Sequence, residues 1–239
     1  MKCPGQDTRY WDSGAIFEIK CPSCGHTEEF FKDESTRKCK KCGFTIRNPK
    51  MDFGCAAYCK FADQCIGELS EEMKQELLKN RVAVEMRSYF GDDTKRIEHA
   101  NRVADYAEKI AKELNADLAV VLIAAYLHDI GIKEAENKYN STASKFQEEL
   151  GPGIAREILT KLNAGAKLID EVCDIIGHHH SPREHESENF KAVYDADQII
   201  NILENKNKLT KDEIIQAIKL NFLTHYGRGL AENIFFNPA

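Results

Sequence analysis

Two kinds of metal-binding side chain are kept in separate parts of this 239-residue chain, and this segregation limits what the chain can fold into. Eight of the nine cysteines lie within the first 65 residues, whereas six of the eight histidines lie between His99 and His185. Crowded cysteines in a reducing compartment indicate metal ligation before they indicate disulfides. We therefore predict two domains, each with its own metal chemistry.

Composition and charge argue against several classes of protein. The chain is 42% hydrophobic and 30% charged, which is typical of a folded globular protein rather than a disordered one. Its net charge of -6 argues against a protein that coats nucleic acid. The N-terminal segment has no apolar core of the secretory type, and no apolar run is long enough to span a bilayer. We therefore expect a cytoplasmic protein with no membrane contact.

The pattern of prolines and apolar residues divides the chain near residue 67. The alternation of residues 15–19 indicates short strands in the first part. No proline lies between Pro49 and Pro152, and beyond residue 70 the apolar residues recur at helical spacings. We predict a small, irregular, β-containing metal-binding module in residues 1–67, followed by an all-α domain in residues 68–239.

Eight helices are predicted in the larger domain from caps, glycines, prolines and apolar spacing. The third begins after Asp117 and is apolar on every side through Leu127, so it should lie at the centre of the core, with Gly131 ending it. Pro152 should lie in the first turn of the fourth helix. The others are expected at 70–90, at 97–114, at 168–176 prolonged through 178–180, at 192–203, after a Thr210–Glu213 capping box, and up to residue 236.

Several of these helices carry side chains that bind metals. His128 and Asp129 close the otherwise apolar third helix, where their burial would be costly without a compensating cation. A divalent metal binds an imidazole nitrogen and a carboxylate oxygen together. Further side chains of this kind should face the same interior from other helices: His99, His178, His179 and Asp197. Each alone could be an ordinary structural residue, but their joint occurrence on different helices predicts a common metal site.

The order of these residues resembles the HD superfamily of metal-dependent phosphohydrolases. The phrases AAYLHDIGI, around His128 and Asp129, and AVYDADQI, around Asp197, also resemble that family, and the resemblance covers roughly residues 80–205. It implies an all-α HD-type catalytic domain. It also implies that Asp197, rather than Asp195, is the family's last aspartate. The primary metal ligands implied by the resemblance are His99, His128, Asp129 and Asp197.

One departure from the family leaves the number of metal ions open. In members with two metals, the positions of His178 and His179 hold the second ion, and Asp129 would bridge both ions. Such members often have a further histidine where this chain has Gln147. A second ion could therefore be held weakly, through Glu148, or not at all.

The ligands and the resemblance together predict an enzyme. Imidazole and carboxylate ligands suit Mn, Fe, Co, Ni, Zn or Mg, and a metal-bound water supplies hydroxide near neutral pH. We predict hydrolysis of a phosphate ester, from a nucleotide or a related small metabolite. Phosphoryl transfer needs nearby positive charge. The cations near the motifs, which could also be ordinary surface charges, are Arg102, Lys133, Arg156 and Arg183. Of these, we assign Lys133 to catalysis, together with Asp129.

Two other classes of function stay open. Some proteins similar to this fold use two irons to activate oxygen, so an oxidoreductase is one alternative. The slightly basic N-terminal module could instead bind nucleic acid or act in regulation, although a structural role is favoured.

The cysteines of the N-terminal module fall into two sets. The first set forms two CxxCG motifs separated by fourteen residues, and comprises Cys21, Cys24, Cys39 and Cys42. This spacing predicts a zinc site similar to a zinc ribbon, and the metal would supply folding free energy that so small a core lacks. The second set comprises Cys3, Cys55, Cys59 and Cys65. It could hold a second zinc or an iron–sulfur cluster, or stay unliganded.

Overall fold

A computed structural model describes residues 14–31, 34, 36–48 and 71–236 of the chain. By its internal contacts the chain divides into two compact units, Met1–Leu77 and Leu78–Ala239. The predicted boundary at residue 67 lies outside the described residues. The second set of cysteines also lies outside them: Cys3, Cys55, Cys59 and Cys65. The boundary and the second cysteine site therefore stay predictions.

Two antiparallel hairpins form the described part of the N-terminal unit. β1 (Ile16–Lys20) pairs with β2 (Thr27–Phe31), and β3 (Thr36–Lys38) pairs with β4 (Thr45–Arg47). Side chains of β1 alternate in exposure, as the sequence alternation predicted. The small buried core of this unit comprises Cys21, Phe30, Cys39 and Ile46. The predicted β-containing module with clustered cysteines is confirmed.

Nine helices follow residue 70 in the described part of the chain. They are α1 (Glu71–Phe90), α2 (Thr94–Leu114), α3 (Leu118–Leu127), α4 (Ile132–Tyr139), α5 (Ser144–Lys161), α6 (Ala166–Ile176), α7 (Glu188–Asn205), α8 (Lys211–Asn221) and α9 (His225–Phe236). The all-α architecture predicted for this region is confirmed. Among the described residues, no helix has the length and apolar character needed to cross a membrane.

α3 is the centre of the helical core, as its apolar sequence predicted. The side chain of Asp117 caps its start by accepting hydrogen bonds from the N–H groups of Ala119 and Val120, at 2.9 and 3.3 Å. Its side chains are almost all buried, and α2, α6 and α7 pack against it. The packing therefore brings the helices that carry the candidate ligands to one place.

Three details of this region differ from the prediction. α4 is an additional helix, and α5 begins at Ser144, so Pro152 lies inside a helix rather than in its first turn. Gly131 does not end α3, which stops at Leu127; it directly precedes α4 with φ −73°. A Cβ at Gly131 would lie 2.4 Å from the Gln147 carbonyl oxygen. This glycine is therefore required by the close approach of α5.

Candidate metal centre

Three side chains from separate helical segments converge beside the end of α3. His99 lies on α2, His128 directly follows α3, and Asp197 lies on α7. His99 Nε2 is 3.3 Å from His128 Nε2 and 3.2 Å from Asp197 Oδ1, and His128 Nε2 is 3.5 Å from the same oxygen. Two donors that each lie about 2.1 Å from one ion, about 100° apart, are separated by about 3.2 Å. The spacing of this first group therefore fits a single divalent cation.

Hydrogen bonds from the far side of each ligand direct it toward this point. His128 Nδ1 lies 2.8 Å from a carbonyl oxygen of the last turn of α3, and His99 Nδ1 lies 3.2 Å from Glu204 Oε1. Because these acceptors take the Nδ1 proton, each Nε2 keeps its lone pair for a metal. Asn201 Nδ2 donates to Asp197 Oδ2 at 2.8 Å, which leaves Oδ1 facing the histidines.

Asp129 lies between this first group and a second one. Its Oδ2 is 3.5 Å from His128 Nε2 and 3.7 Å from His99 Nε2, whereas its Oδ1 is 3.6 Å from His179 Nε2. With Asp129, His179 and His180 form a second group of potential metal ligands. A carboxylate with one oxygen toward each group is suited to bridge two ions.

One buried atom of the second group has no hydrogen-bond partner. His179 Nδ1 lies 2.8 Å from the Ile176 carbonyl oxygen, so its Nε2 carries the lone pair. Within the described residues, this Nε2 is one of two buried side-chain nitrogen or oxygen atoms without a partner. Leaving a buried acceptor unpaired is costly. A metal ion would satisfy this atom, so the donor set fits the metal that the sequence predicted.

The charges of the site depend on one another. Burial alone would lower the pKa of His128, but Asp129 and Asp197 raise it to about 9. Burial would raise the pKa of both carboxyl groups, but the adjacent imidazoles hold the pKa of Asp129 and Asp197 well below the usual range. The site therefore attracts positive charge, and a metal ion that binds there would displace a proton.

His178 lies outside both groups, although it was predicted to be a metal ligand. α6 ends two residues before it, and the histidines lie in a turn rather than in the predicted extension of the helix. His178 Nε2 is 3.0 Å from Glu186 Oε1, and its ring stacks on Phe190. The turn places His180 beside His179 instead, with ring centroids 3.9 Å apart. The run of three histidines indicated that a pair of them lies at the site. Helical periodicity predicted His178 and His179, whereas the structure brings His179 and His180 together.

Glu148, which was considered as a weak ligand of a second ion, and its neighbour Gln147 both have hydrogen-bond partners of their own. Gln147 Nε2 donates to the Thr142 carbonyl at 2.6 Å, which turns its Oε1 toward His180 Nε2, 3.4 Å away. Glu148 Oε1 accepts hydrogen bonds from the His180 N–H at 3.0 Å and the Ser181 hydroxyl at 2.8 Å. Glu148 therefore stabilises the turn after α6. Gln147 presents its side-chain oxygen, a potential metal ligand, to the second group.

The cations selected from the sequence contact groups outside the ligand cluster. Lys133 Nζ donates to the Tyr89 carbonyl oxygen at 2.7 Å and lies over the Tyr89 ring. The three arginines pair with carboxylates: Arg102 with Glu204 at 3.5 Å, Arg156 with Asp170 at 2.9 Å, and Arg183 with Asp174 at 2.7 Å. The assignment of Lys133 to catalysis stays a prediction.

One further cation, Arg96, was not predicted from the sequence to contribute to the site. Arg96 precedes His99 by three residues, so both lie on one face of α2. Its guanidinium donates twice to Glu136, at 2.6 and 3.0 Å. Glu136 raises the pKa of Arg96, and the charges of Asp93 and Asp129 add to this effect. The spacing from His99 was the one signal in the sequence that could have identified Arg96.

The predicted zinc ligands lie together in the N-terminal unit. One sulfur from each of four residues lies within 4.8 Å of the others: Cys21, Cys24, Cys39 and Cys42. The Sγ atoms of Cys21 and Cys42 are 3.6 Å apart, as are those of Cys24 and Cys39. Four sulfurs arranged tetrahedrally at about 2.3 Å from zinc are about 3.8 Å apart. The four cysteines could therefore form a zinc-binding module.

The two cysteine turns share one backbone geometry. Gly25 and Gly43 have φ of +71° and +74°, in the left-handed region that favours glycine. The N–H of Phe44 donates to the Cys42 sulfur and lowers the pKa of this thiol to about 7. A thiolate that accepts such a backbone hydrogen bond is stabilised as a zinc ligand. The geometry explains why a glycine follows each CxxC pair.

Comparison with known proteins agrees with this geometry. The family model for the HD domain matches residues 96–224, which are more than half of the chain and contain both groups of potential ligands. A predicted HD superfamily hydrolase from an uncultured Thermotogales bacterium is 25% identical, with a TM-score of 0.48, and the match covers 64% of this chain and 82% of that one. Bacillus subtilis YpgQ is 23% identical and shares the fold, with a TM-score of 0.50 over 67% of this chain and 89% of that one. Because the family model matches more than half of its residues, this chain belongs to the HD-domain family.

Proposed function

We propose that this chain hydrolyses a phosphate ester of a nucleotide or of a related small phosphorylated metabolite. Membership in the HD-domain family implies a metal-dependent phosphohydrolase. The observation that carries the proposal is the convergence of His99, His128 and Asp197, with donor atoms 3.2–3.5 Å apart, around a point that Asp129 also faces. Such a donor set suits Mn, Fe, Co, Ni, Zn or Mg.

The exposure of the ligands indicates the side from which a substrate enters. The side chains of His128 and Asp197 are only 1% and 3% exposed, whereas that of Asp129 is 20% exposed. A divalent metal bound here would act as a Lewis acid and lower the pKa of a bound water. The ionised Asp129 carboxylate lies at the solvent side, where it would orient the attacking water by accepting a hydrogen bond. The phosphate therefore approaches past Asp129.

Two cations are the proposed partners of the phosphate oxygens. The transferred phosphoryl group carries negative charge that nearby cations stabilise. The two terminal nitrogens of Arg96 donate to Glu136, so Arg96 would stabilise the phosphate through its charge rather than through a direct hydrogen bond. The charge of Asp129 contributes to the raised pKa of Arg96, so the two side chains interact electrostatically. Lys133 follows Asp129 by four residues and would exchange its bond to the Tyr89 carbonyl for a phosphate oxygen.

The Asp129→Ala substitution tests this function. Asp170→Asn is the matched control, because Asp170 is an exposed carboxylate that pairs with Arg156 on the surface. Zinc-replete proteins would be loaded with Mn²⁺, which a thiolate site disfavours. Bound manganese would be measured by mass spectrometry, and phosphate release over a panel of nucleotides and sugar phosphates. We expect the wild type and the control to bind manganese and hydrolyse part of the panel, and Asp129→Ala to lose both properties.

Other outcomes would contradict the proposal. Phosphate release by Asp129→Ala protein without bound manganese would exclude the assigned centre. Oxygen uptake by the iron-loaded wild type, with no phosphate release, would favour the oxidoreductase alternative. Salt-dependent RNA or DNA binding that survives Asp129→Ala, again without hydrolysis, would favour a binding protein that uses the N-terminal module.

A further inference from the structure

One face of α7 carries three polar residues at helical spacing. Asp197, Asn201 and Glu204 follow one another at intervals of four and three, so they lie on the same side of the helix. Asn201 donates to Asp197 Oδ2 at 2.8 Å, and Glu204 Oε1 lies 3.2 Å from His99 Nδ1. One face of α7 therefore supplies a candidate ligand, Asp197, together with the residues that hydrogen-bond to two candidate ligands, Asp197 and His99.

His99 differs from the other candidate histidines in how its ring is held. The Nδ1 atoms of His128 and His179 face backbone carbonyl oxygens, each 2.8 Å away and three residues earlier in the chain. Because these acceptors belong to the backbone, they are present whichever residue occupies positions 125 and 176. His99 Nδ1 faces a carboxylate that belongs to another helix, α7. The orientation of His99 therefore depends on the identity of one residue, Glu204.

We propose that Glu204 is a positioning residue that fixes the tautomer and orientation of His99 and thereby strengthens metal binding. A carboxylate that accepts the Nδ1 proton leaves the lone pair on Nε2, which is the atom 3.2 Å from Asp197 Oδ1. Without this acceptor, the neutral ring would carry its proton on Nε2, where Asp197 Oδ1 can accept it at 3.2 Å, and would lose its value as a ligand. The proposal rests on the proposed function only in taking His99 as a metal ligand.

Glu204 can be replaced without opening a cavity in the core. Its side chain is 27% exposed, compared with 10% for His99, and it borders an open surface groove of about 310 Å³ between α2 and the end of α7. Arg102, whose NH1 is 3.5 Å from the same Oε1, also lines this groove. Glu98 lies on its α2 side, is exposed, and provides a control carboxylate in the same groove.

Three variants separate positioning from a general effect of charge: Glu204→Leu, Glu204→Gln and Glu98→Gln. The amide oxygen of Glu204→Gln can still accept the Nδ1 proton, whereas leucine cannot. The His99 tautomer would be measured in metal-free protein by long-range ¹H–¹⁵N NMR, at a pH where this ring is neutral. Mn²⁺ affinity would be measured by electron paramagnetic resonance in zinc-replete protein.

We expect Glu204→Leu to populate the Nε2–H tautomer and to bind Mn²⁺ roughly 10–100-fold more weakly, as is typical when such an outer partner is lost. Glu204→Gln should keep the Nδ1–H tautomer and recover most of the affinity, and Glu98→Gln should match the wild type. A wild-type tautomer and affinity in Glu204→Leu would overturn the proposal. Equal losses in Glu204→Gln and Glu98→Gln would also overturn it, since they would indicate an effect of charge alone. The tautomer is read without metal or substrate, so failure of the phosphohydrolase assignment is distinguishable from failure of this inference.

Discussion

Asp195 and Asp197 are two buried carboxylates of α7 that should respond differently to substitution. Successive helical residues are about 100° apart, so the two side chains face nearly opposite sides. Asp195 faces the start of α9. Its Oδ1 accepts from the Leu223 N–H at 2.8 Å, and its Oδ2 accepts from the N–H and the hydroxyl of Thr224 at 3.0 and 2.6 Å. Asp197 faces His99 and the other candidate ligands. Asp195 therefore stabilises the packing of α7 against the start of α9, and Asp197 is a candidate ligand of the metal site.

The Asp195→Asn substitution keeps the side chain's size but turns one acceptor into a donor. If the amide oxygen stays with Thr224, the amide nitrogen meets the Leu223 N–H, and a buried donor loses its acceptor at a cost of about 1–3 kcal/mol. A loss of about 2 kcal/mol in a chain of this size lowers Tm by about 4–8 °C. Mn²⁺ at about 100 times its Kd should still stabilise this variant by about 2.7 kcal/mol, because no ligand has changed.

The Asp197→Asn substitution should instead abolish the stabilisation by metal. Losing a residue that only orients a ligand weakens metal binding by roughly 10–100-fold, and weakening a ligand itself should have a larger effect. Urea unfolding of zinc-replete protein, followed by circular dichroism with and without Mn²⁺, measures both effects. If the metal still stabilised Asp197→Asn but no longer stabilised Asp195→Asn, the division of roles between these residues would be refuted.

Two further predictions concern a helix contact and the zinc site. Gly131→Ala should destabilise the protein by about 1–3 kcal/mol, because the new Cβ would lie 2.4 Å from the Gln147 carbonyl oxygen. Gly153→Ala, whose Cβ meets nothing within 4 Å, should be neutral or stabilising by up to about 1 kcal/mol in thermal unfolding. Equal stabilities would contradict the packing argument. Cys39→Ser should reduce the bound zinc measured with a chromogenic chelator, and Cys173→Ser, a control on α6, should not. Unchanged zinc in both would contradict the four-cysteine site.

The fold was predictable where local signals and tertiary packing agree. The capping box at the start of α8 is present, with Glu213 Oε2 accepting from the Thr210 N–H at 2.7 Å, and the apolar α3 lies at the centre of the core. α4 was missed because it buries only Ala135, which leaves too weak an apolar pattern. The start of α5 was misplaced because proline usually marks a first turn. The close approach of α5 to Gly131 is a tertiary contact, so the residues around Gly131 in the sequence do not indicate it.

The candidate ligands were recognisable by residue type and order, but the geometry between them was not. The helical phase of α6 favoured His178 over His180 because the helix was extended past Gly177, although this glycine is the C-cap that follows the last helical residue, Ile176. Glu204 and Asn201 are ordinary polar residues in the sequence. Their contacts depend on how α2 packs against α7, which is a property of the folded chain.

The position of a bound metal ion tests the central claim most directly. Crystals of zinc-replete protein grown with Mn²⁺ would be measured on both sides of the manganese absorption edge, so that anomalous scattering locates the ion. We predict a manganese peak at about 2.0–2.2 Å from donor atoms of His99, His128, Asp129 and Asp197, with zinc confined to the cysteine cluster. Manganese bound elsewhere, or no manganese among these four residues at a saturating concentration, would contradict the proposed metal centre.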